Sequence, residues 1–204
     1  MKKILVSVCM VLAFACTAFG QQSKKGIAAE GGDADDRGSA RVLYWNLDTN
    51  HAAGQFAVNY GRPVWKKAYE DPANFDKMTK GKVWRMGSNF WTELDTCLPL
   101  EISGRKVTAG LYYLGLRRSE DGSKWSLAFI DPAKVRAGHI DAFDINMAPI
   151  SFEVPATFKQ VATPAAEKLT IRMIYTKEDI RHVTMKLVWG NMEVTVPIVA
   201  TVTP

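Results

Sequence analysis

Five residues have types and spacing that could hold a ligand. Trp84 and Arg85 lie side by side, Asn89 follows four places on, and Tyr60 and Arg62 stand about twenty residues upstream. Two guanidiniums beside a phenol and an amide suit a carboxylate, a phosphate or a sugar, because each guanidinium offers forked donors. On an extended chain Val83 and Arg85 point one way and Trp84 and Met86 the other. Trp84 is therefore expected to pack inward while Arg85 reaches into a groove, where Arg62, held just before Pro63, converges on it. The competing reading is structural: Arg85 pairs with Glu93 or Asp95 and locks the loop.

Other chemistries find less support. Gly81-Lys82 lacks the Ser or Thr and the upstream glycine of a phosphate-cradling loop. His51, His139 and His182 are scattered, without ligand spacing to another His, Cys or carboxylate, so no metal and no cofactor are expected. There is no Gly-x-Ser-x-Gly turn for a serine nucleophile. Cys97 lies among Glu93, Asp95 and Glu101, which disfavours a thiolate and suggests an inert, half-buried thiol. Asp141 and Asp144 could do acid–base work, but they read more simply as a polar loop.

The elements that must position these residues have a period of two. Phe56, Val58 and Tyr60 alternate with polar or small neighbours, as do Trp125, Leu127 and Phe129. So do Ile150, Phe152 and Val154, then Leu169, Ile171, Met173 and Tyr175. Val183, Met185, Leu187 and Trp189 form another set, and Met192, Val194, Val196 and Ile198 the last. Each set reads as a strand with one buried face. Leu94, Leu98, Leu100 and Ile102 read as one further strand, closed by Ser103-Gly104-Arg105-Lys106. Gly190-Asn191 has the form of a two-residue hairpin turn, and Glu120-Asp121-Gly122-Ser123 that of a longer one. The expectation is an all-β fold, an antiparallel β-sandwich or barrel-like sandwich, over residues 41–204. One segment breaks the period. Asp71 can cap, and Pro72 can open, a short helix carrying Phe75 and Met78, so residues 61–81 form a long connection of the kind that often carries function.

The blocks Tyr60-Gly61-Arg62-Pro63 and Gly81-Lys82-Val83-Trp84-Arg85-Met86-Gly87-Ser88-Asn89 occur in order with Gly104, Ala109-Gly110-Leu111-Tyr112, Trp125-Ser126-Leu127 and Leu187-Val188-Trp189. This order resembles the bacterial family called domain of unknown function 2911, over most of the chain after residue 40. The resemblance implies an exported protein and no established activity. The family usually follows the Asn with an acidic residue and then Ala-Thr. Here Phe90-Trp91-Thr92 follow Asn89, and Glu93 comes later.

The chain begins with Lys2-Lys3, an apolar run from Ile4 to Phe14, and Ala18-Phe19-Gly20. That is the pattern of a signal peptide over residues 1–20, cut before Gln21. A second reading of the same stretch is acylation at Cys16, after Leu12-Ala13-Phe14-Ala15, which would give a lipid anchor. Either way the protein is expected to be exported, periplasmic or extracellular, and not an integral membrane protein. Residues 21–40, with Gly31-Gly32-Asp33-Ala34-Asp35-Asp36, read as a flexible linker. Removal of Lys2 and Lys3 lowers the formal charge by two, from +5 to +3, and no Lys/Arg run exceeds two residues, so no nucleic-acid partner is expected. With Cys9 and Cys16 in the leader, only Cys97 remains, and an internal disulfide is excluded.

Three functions fit this reading. The first is a non-catalytic binding module for a small anionic or sugar ligand or an envelope partner. The second is a hydrolase of envelope or carbohydrate material, which needs a carboxylate pair, or a His with a carboxylate, in the groove. The third is a structural or assembly protein, in which internal ion pairs consume Arg62 and Arg85 and no pocket exists.

Overall fold

In chain order, β1 runs over Arg37–Asn46 and β2 over His51–Gly61, then a 3-10 turn over Lys67–Glu70 precedes helix α1, Pro72–Thr79. Strands β3 (Val83–Trp84), β4 (Thr92–Thr96), β5 (Leu100–Ile102), β6 (Arg105–Val107), β7 (Gly110–Arg118) and β8 (Trp125–Ile130) follow. Helix α2, Pro132–Ala137, and a second 3-10 turn, Ala142–Met147, lead into β9 (Ile150–Gln160), β10 (Ala166–Ile174), β11 (His182–Gly190) and β12 (Met192–Ala200). The structure is a computed structural model and describes residues 27–29, 31–161 and 165–203. The signal-peptide segment, and Cys16 with it, lie outside the described residues.

The strand pairs are antiparallel, in the order β1-β2-β4-β7-β8-β9-β12-β11-β10. The sheet is open between β1 and β10 and folds over into two layers, giving the expected sandwich. The fold-over happens where one chain serves both layers. Residues 150–156 of β9 pair with β8, and residues 157–160 pair with β12. The second corner corrects the single strand expected over Leu94–Ile102. Pro99 lacks an N–H for the ladder, and the chain splits there into β4, paired with β2 and β7, and β5, paired with β12. Leu94, Leu98, Leu100 and Ile102 all remain buried, so the apolar face persists while the ladder changes partner.

Between the layers lie Phe56, Val58, Leu114, Leu127, Phe129, Leu187 and Val196, all buried. A second apolar cluster forms on the other face of the first layer. There α2 and the 3-10 turn cover Tyr113, Ala128 and Ile130 with Val135, Ala142 and Ile145. This cover is why β8 is buried on both faces. It includes a helix the periodicity missed. Asp131 accepts the Ala133 N–H at 2.8 Å and Pro132 opens the helix, the same Asp-Pro start that marks α1, where Asp71 accepts the Asn74 N–H at 2.9 Å.

The first strand corrects the expected linker boundary. β1 starts at Arg37, inside residues 21–40, because its first residues are held by the ladder to β2 from Arg37↔Gly61 to Ala40↔Val58 and need no apolar face of their own. Side chains and a short bridge close the gap between the layers on this side. The Tyr60 hydroxyl receives the Ile171 N–H at 2.8 Å, and the Tyr44 hydroxyl donates to the Ile180 carbonyl at 3.0 Å. Burial pushes the Tyr44 phenol up to about 12. Just past β2, Val64 bridges to Lys168, and the Trp65 N–H reaches the Glu167 carbonyl at 2.7 Å.

Candidate functional site

The segment that carries Trp84 and Arg85 is wound tightly. β3 pairs with the end of β7 through Val83↔Arg117 and Trp84↔Leu116. Met86 (φ 55°) and Asn89 (φ 62°) then take the left-handed conformation and curl the chain back. Met86 is buried, and its carbonyl accepts the Thr92 hydroxyl at 3.0 Å. The curled loop lies directly against the end of β2. A methyl group at Gly61 would sit 2.2 Å from the Ser88 carbonyl oxygen, so only glycine permits the approach. The blocks at residues 60–63 and 81–89 therefore meet through two backbones in contact.

Arg85 folds back over this loop. Its Nε donates to the Gly87 carbonyl at 3.3 Å and one terminal nitrogen to the Asn89 carbonyl at 3.5 Å. Its guanidinium lies 5.5 Å from the centre of the Phe143 ring, a cation–π distance. No carboxylate pairs with it among the described residues, so the expected lock to Glu93 or Asp95 is not made. Arg62, Arg117 and Arg118, by contrast, pair with Asp36, Glu153 and Asp76.

Trp84 and Arg85 line a groove of about 420 Å³ with Lys66, Tyr69, Phe143, Asn146 and Trp189. That volume is in the range of small-molecule sites, roughly 300–1,000 Å³. The 3-10 turn Ala142–Met147 forms one side, fixed by the Asn146 side chain, which accepts the Val83 N–H at 3.0 Å. The opposite wall is Trp189, stacked on Trp84 with ring centres 5.0 Å apart. No Asp, Glu or His lines this groove. Lys66, Phe143 and Asn146 gave no ligand signal in the sequence, and Trp189 only that of a strand residue, because the connection after β2, the 3-10 turn and β11 are joined only by the fold.

The other sequence-named residues are placed elsewhere. Tyr60 is buried and bonded to the backbone of Ile171. Arg62 pairs with Asp36 at 3.5 Å and donates to the Leu169 carbonyl at 3.4 Å. Lys168 and Arg62 together hold the Asp36 carboxyl below its usual range. The Asn89 amide bonds to the Asp35 side chain. Both Asp35 and Asp36 belong to the stretch read as solvated linker. Glu93 does not line the groove.

A wider groove of about 970 Å³ runs along β7, β8 and β9. In it Glu153 accepts the Ser126 hydroxyl and pairs with Arg117 at 2.7 Å. Arg117 and Ser126 are direct cross-strand partners, and Glu153 lies on the next strand, so this cluster is a cross-strand polar ladder. Cys97 is exposed, where a half-buried thiol was expected, because it stands at the corner before Pro99. Asp141 caps the 3-10 turn by accepting the Phe143 N–H at 2.7 Å. His182, the exposed first residue of β11, pairs with Asp179 at 2.7 Å. Among the described residues no three His, Cys, Asp or Glu side chains are grouped to hold a metal, and no helix is long and apolar enough to cross a membrane.

No curated protein matches the chain, and no solved structure does. One family model, described as protein of unknown function (DUF2911), matches residues 46–198. That span runs from the end of β1 to the last residues of β12 and includes the Arg85 groove. The chain belongs to the DUF2911 family of proteins of unknown function.

Proposed function

We propose that this protein is an exported, non-catalytic binding module, and that the groove beside Arg85 takes a small anionic ligand, a carboxylate or phosphate carried on a flat or sugar-like body. The observation that carries the reading is the Arg85 guanidinium. It lines a groove, has no carboxylate partner among the described residues, and is held by two long bonds to backbone carbonyls. A bound anion would replace those bonds with a forked pair. Lys66 supplies a second positive charge, and the indoles of Trp84 and Trp189 supply flat apolar faces.

The two competing functions fare differently. A hydrolase needs an acid and a base converging on the substrate, and the groove has neither carboxylate nor histidine. A purely structural role needs both arginines consumed; Arg62 meets that condition and Arg85 does not. Export, and the choice between a soluble form and a lipid anchor at Cys16, rest on the pattern of residues 1–20.

A thermal-shift screen of the mature domain against carboxylates, phosphorylated sugars, neutral sugars and divalent metals tests this reading. A ligand that binds only the folded state raises the melting temperature by mass action. The expected response comes from anions, and a response to metals alone would refute the assignment.

A further inference from the structure

Beneath residues 65–79 lies a second space, separate in character from the Arg85 groove. It is a cavity of about 180 Å³ walled by Trp65, Tyr69, Phe75, Trp84, Trp125 and Trp189. Protein interiors are packed to crystal density, with few voids larger than a water molecule. This space is a partly open pocket at the edge of the core, where six aromatic side chains leave about 180 Å³ unfilled. An apolar cavity of about 150 Å³ stays dry and admits benzene, so this one has room for a single six-membered ring.

The lining decides the chemistry. No charged side chain contributes to it. Its one aliphatic hydroxyl, Thr79, already donates to the Phe75 carbonyl at 2.7 Å. Trp65 and Trp189 direct their indole N–H groups to Glu70 and to the Pro63 carbonyl. A bound water needs two to four polar partners, and a polar ligand needs as many. An aromatic enclosure could also attract a cation. Here, however, the Arg118 guanidinium already lies 5.5 Å from the Phe75 ring centre and 5.4 Å from that of Trp125. A second positive charge would meet it across the same rings.

The entrance is also legible. Trp65, Tyr69, Phe75, Met78 and Thr79 come from the connection after β2, and the other walls come from β3, β8, β11 and β12. Neither the 3-10 turn nor α1 in that connection has a fully buried residue. Segments so lightly buried open at a small fraction of the global unfolding free energy. Asp76 ties this flap to β7 by pairing with Arg118 at 2.7 Å, and it also pairs locally with Lys80 at 2.6 Å.

We infer that this cavity is a binding site for a compact, uncharged apolar group, an aromatic ring or a short alkyl chain, admitted by movement of residues 65–79. This site does not depend on Arg85. The group is either a free small molecule or the apolar end of the anion bound in the adjoining groove, since Tyr69, Trp84 and Trp189 line both spaces.

The test is titration of the mature protein with toluene, followed by tryptophan emission, with tetramethylammonium as the cationic control. Hydrogen exchange is measured in parallel. Saturable binding of toluene, with slowed exchange confined to residues 65–79 and the strands beneath, is the expected result. Arg85→Ala retains this binding, which separates the cavity from the groove. Met192→Trp, which fills the space, weakens it on the order of tenfold or more. If Met192→Trp does not fold, the exchange pattern of the wild type decides alone. Comparing benzoate with toluene distinguishes the two sources: benzoate binding that is tighter and sensitive to Arg85→Ala identifies one ligand spanning both spaces, and benzoate binding weaker than that of toluene identifies a separate uncharged small molecule, because an unpaired carboxylate is costly in an apolar pocket. No saturation by toluene, preference for tetramethylammonium, or binding without protection of residues 65–79 would overturn the inference.

Discussion

Trp84 and Trp189 stack with their ring planes 10° apart and their centres 5.0 Å apart, and this pair is the wall shared by the Arg85 groove and the aromatic cavity. One comes from the two-residue strand β3 and the other from the end of strand β11. Truncating Trp84 therefore removes a stacked partner and opens the wall. Trp84 is half-buried, so Trp84→Ala should cost about 2 kcal/mol, below the ~3–5 kcal/mol of a fully buried aromatic. Urea unfolding measures the loss, and a change under ~0.5 kcal/mol would show that the stack contributes little.

Gly190 has two duties. It takes the left-handed conformation of the hairpin turn (φ 55°), and the Trp65 ring lies flat against it, so that a methyl group there would come within 1.9 Å of Trp65. Gly190→Ala should lower stability by about 1–3 kcal/mol and displace the Trp65 ring, because overpacking and backbone strain add. A red-shifted tryptophan emission at unchanged secondary structure is the signature. Unchanged emission would mean that the flap absorbs the methyl group elsewhere.

Tyr60 closes the two layers through the backbone of Ile171. Tyr60→Phe leaves the buried Ile171 N–H without its 2.8 Å partner, and an unsatisfied buried donor costs about 1–3 kcal/mol. Anion binding at Arg85 should be unaffected, since Tyr60 does not line the groove. Loss of binding with no loss of stability would return Tyr60 to the site.

The flap should respond to acid. Hydrogen bonds from Lys80 and then Arg118 hold the Asp76 carboxyl below its ordinary range. A carboxyl lowered in the folded state contributes stability that is complete above its unfolded value, about 3.9, and is lost as pH falls through the folded value. Residues 65–79 should stay docked from neutral pH down to about pH 4 and loosen below it. Asp76→Asn should loosen them at pH 7 and abolish the acid response, read as proteolysis at residues 67–80 with the core transition little changed. A flap equally protected in Asp76→Asn would assign its docking to the aromatic contacts alone.

The sandwich was legible because half-buried strands impose a period of two. Phe56, Val58 and Tyr60, and likewise Val183, Met185, Leu187 and Trp189, are all buried as the alternation requires. The Leu94–Ile102 break was not legible, since both halves keep their apolar residues inward and only the hydrogen-bonding partner changes. Nor was the start of β1, because its first residues are held by backbone pairing to β2 and not by an apolar face. At the site, Trp84 and Arg85 could be read as neighbours on a strand. Tyr60 and Arg62 are spatially close to that block, through Gly61 and Ser88, but their side chains reach β10. Proximity in a motif does not fix the direction of a side chain. The four-tryptophan cavity had no local pattern at all, since Trp65, Trp84, Trp125 and Trp189 come from separate parts of the chain.

The most direct test of the binding role compares wild type, Arg85→Ala and Arg85→Lys by thermal shift with and without the anions that stabilise the wild type. The unliganded Arg85→Ala protein should melt within about 4 °C of wild type, as expected for a change of ~1 kcal/mol or less in a domain of this size. Its anion response should vanish, and Arg85→Lys should recover only part of it, because lysine keeps the charge but not the fork. An Arg85→Ala protein that melts far lower, together with a wild type that no anion stabilises, would contradict the account and make Arg85 a lock on the loop.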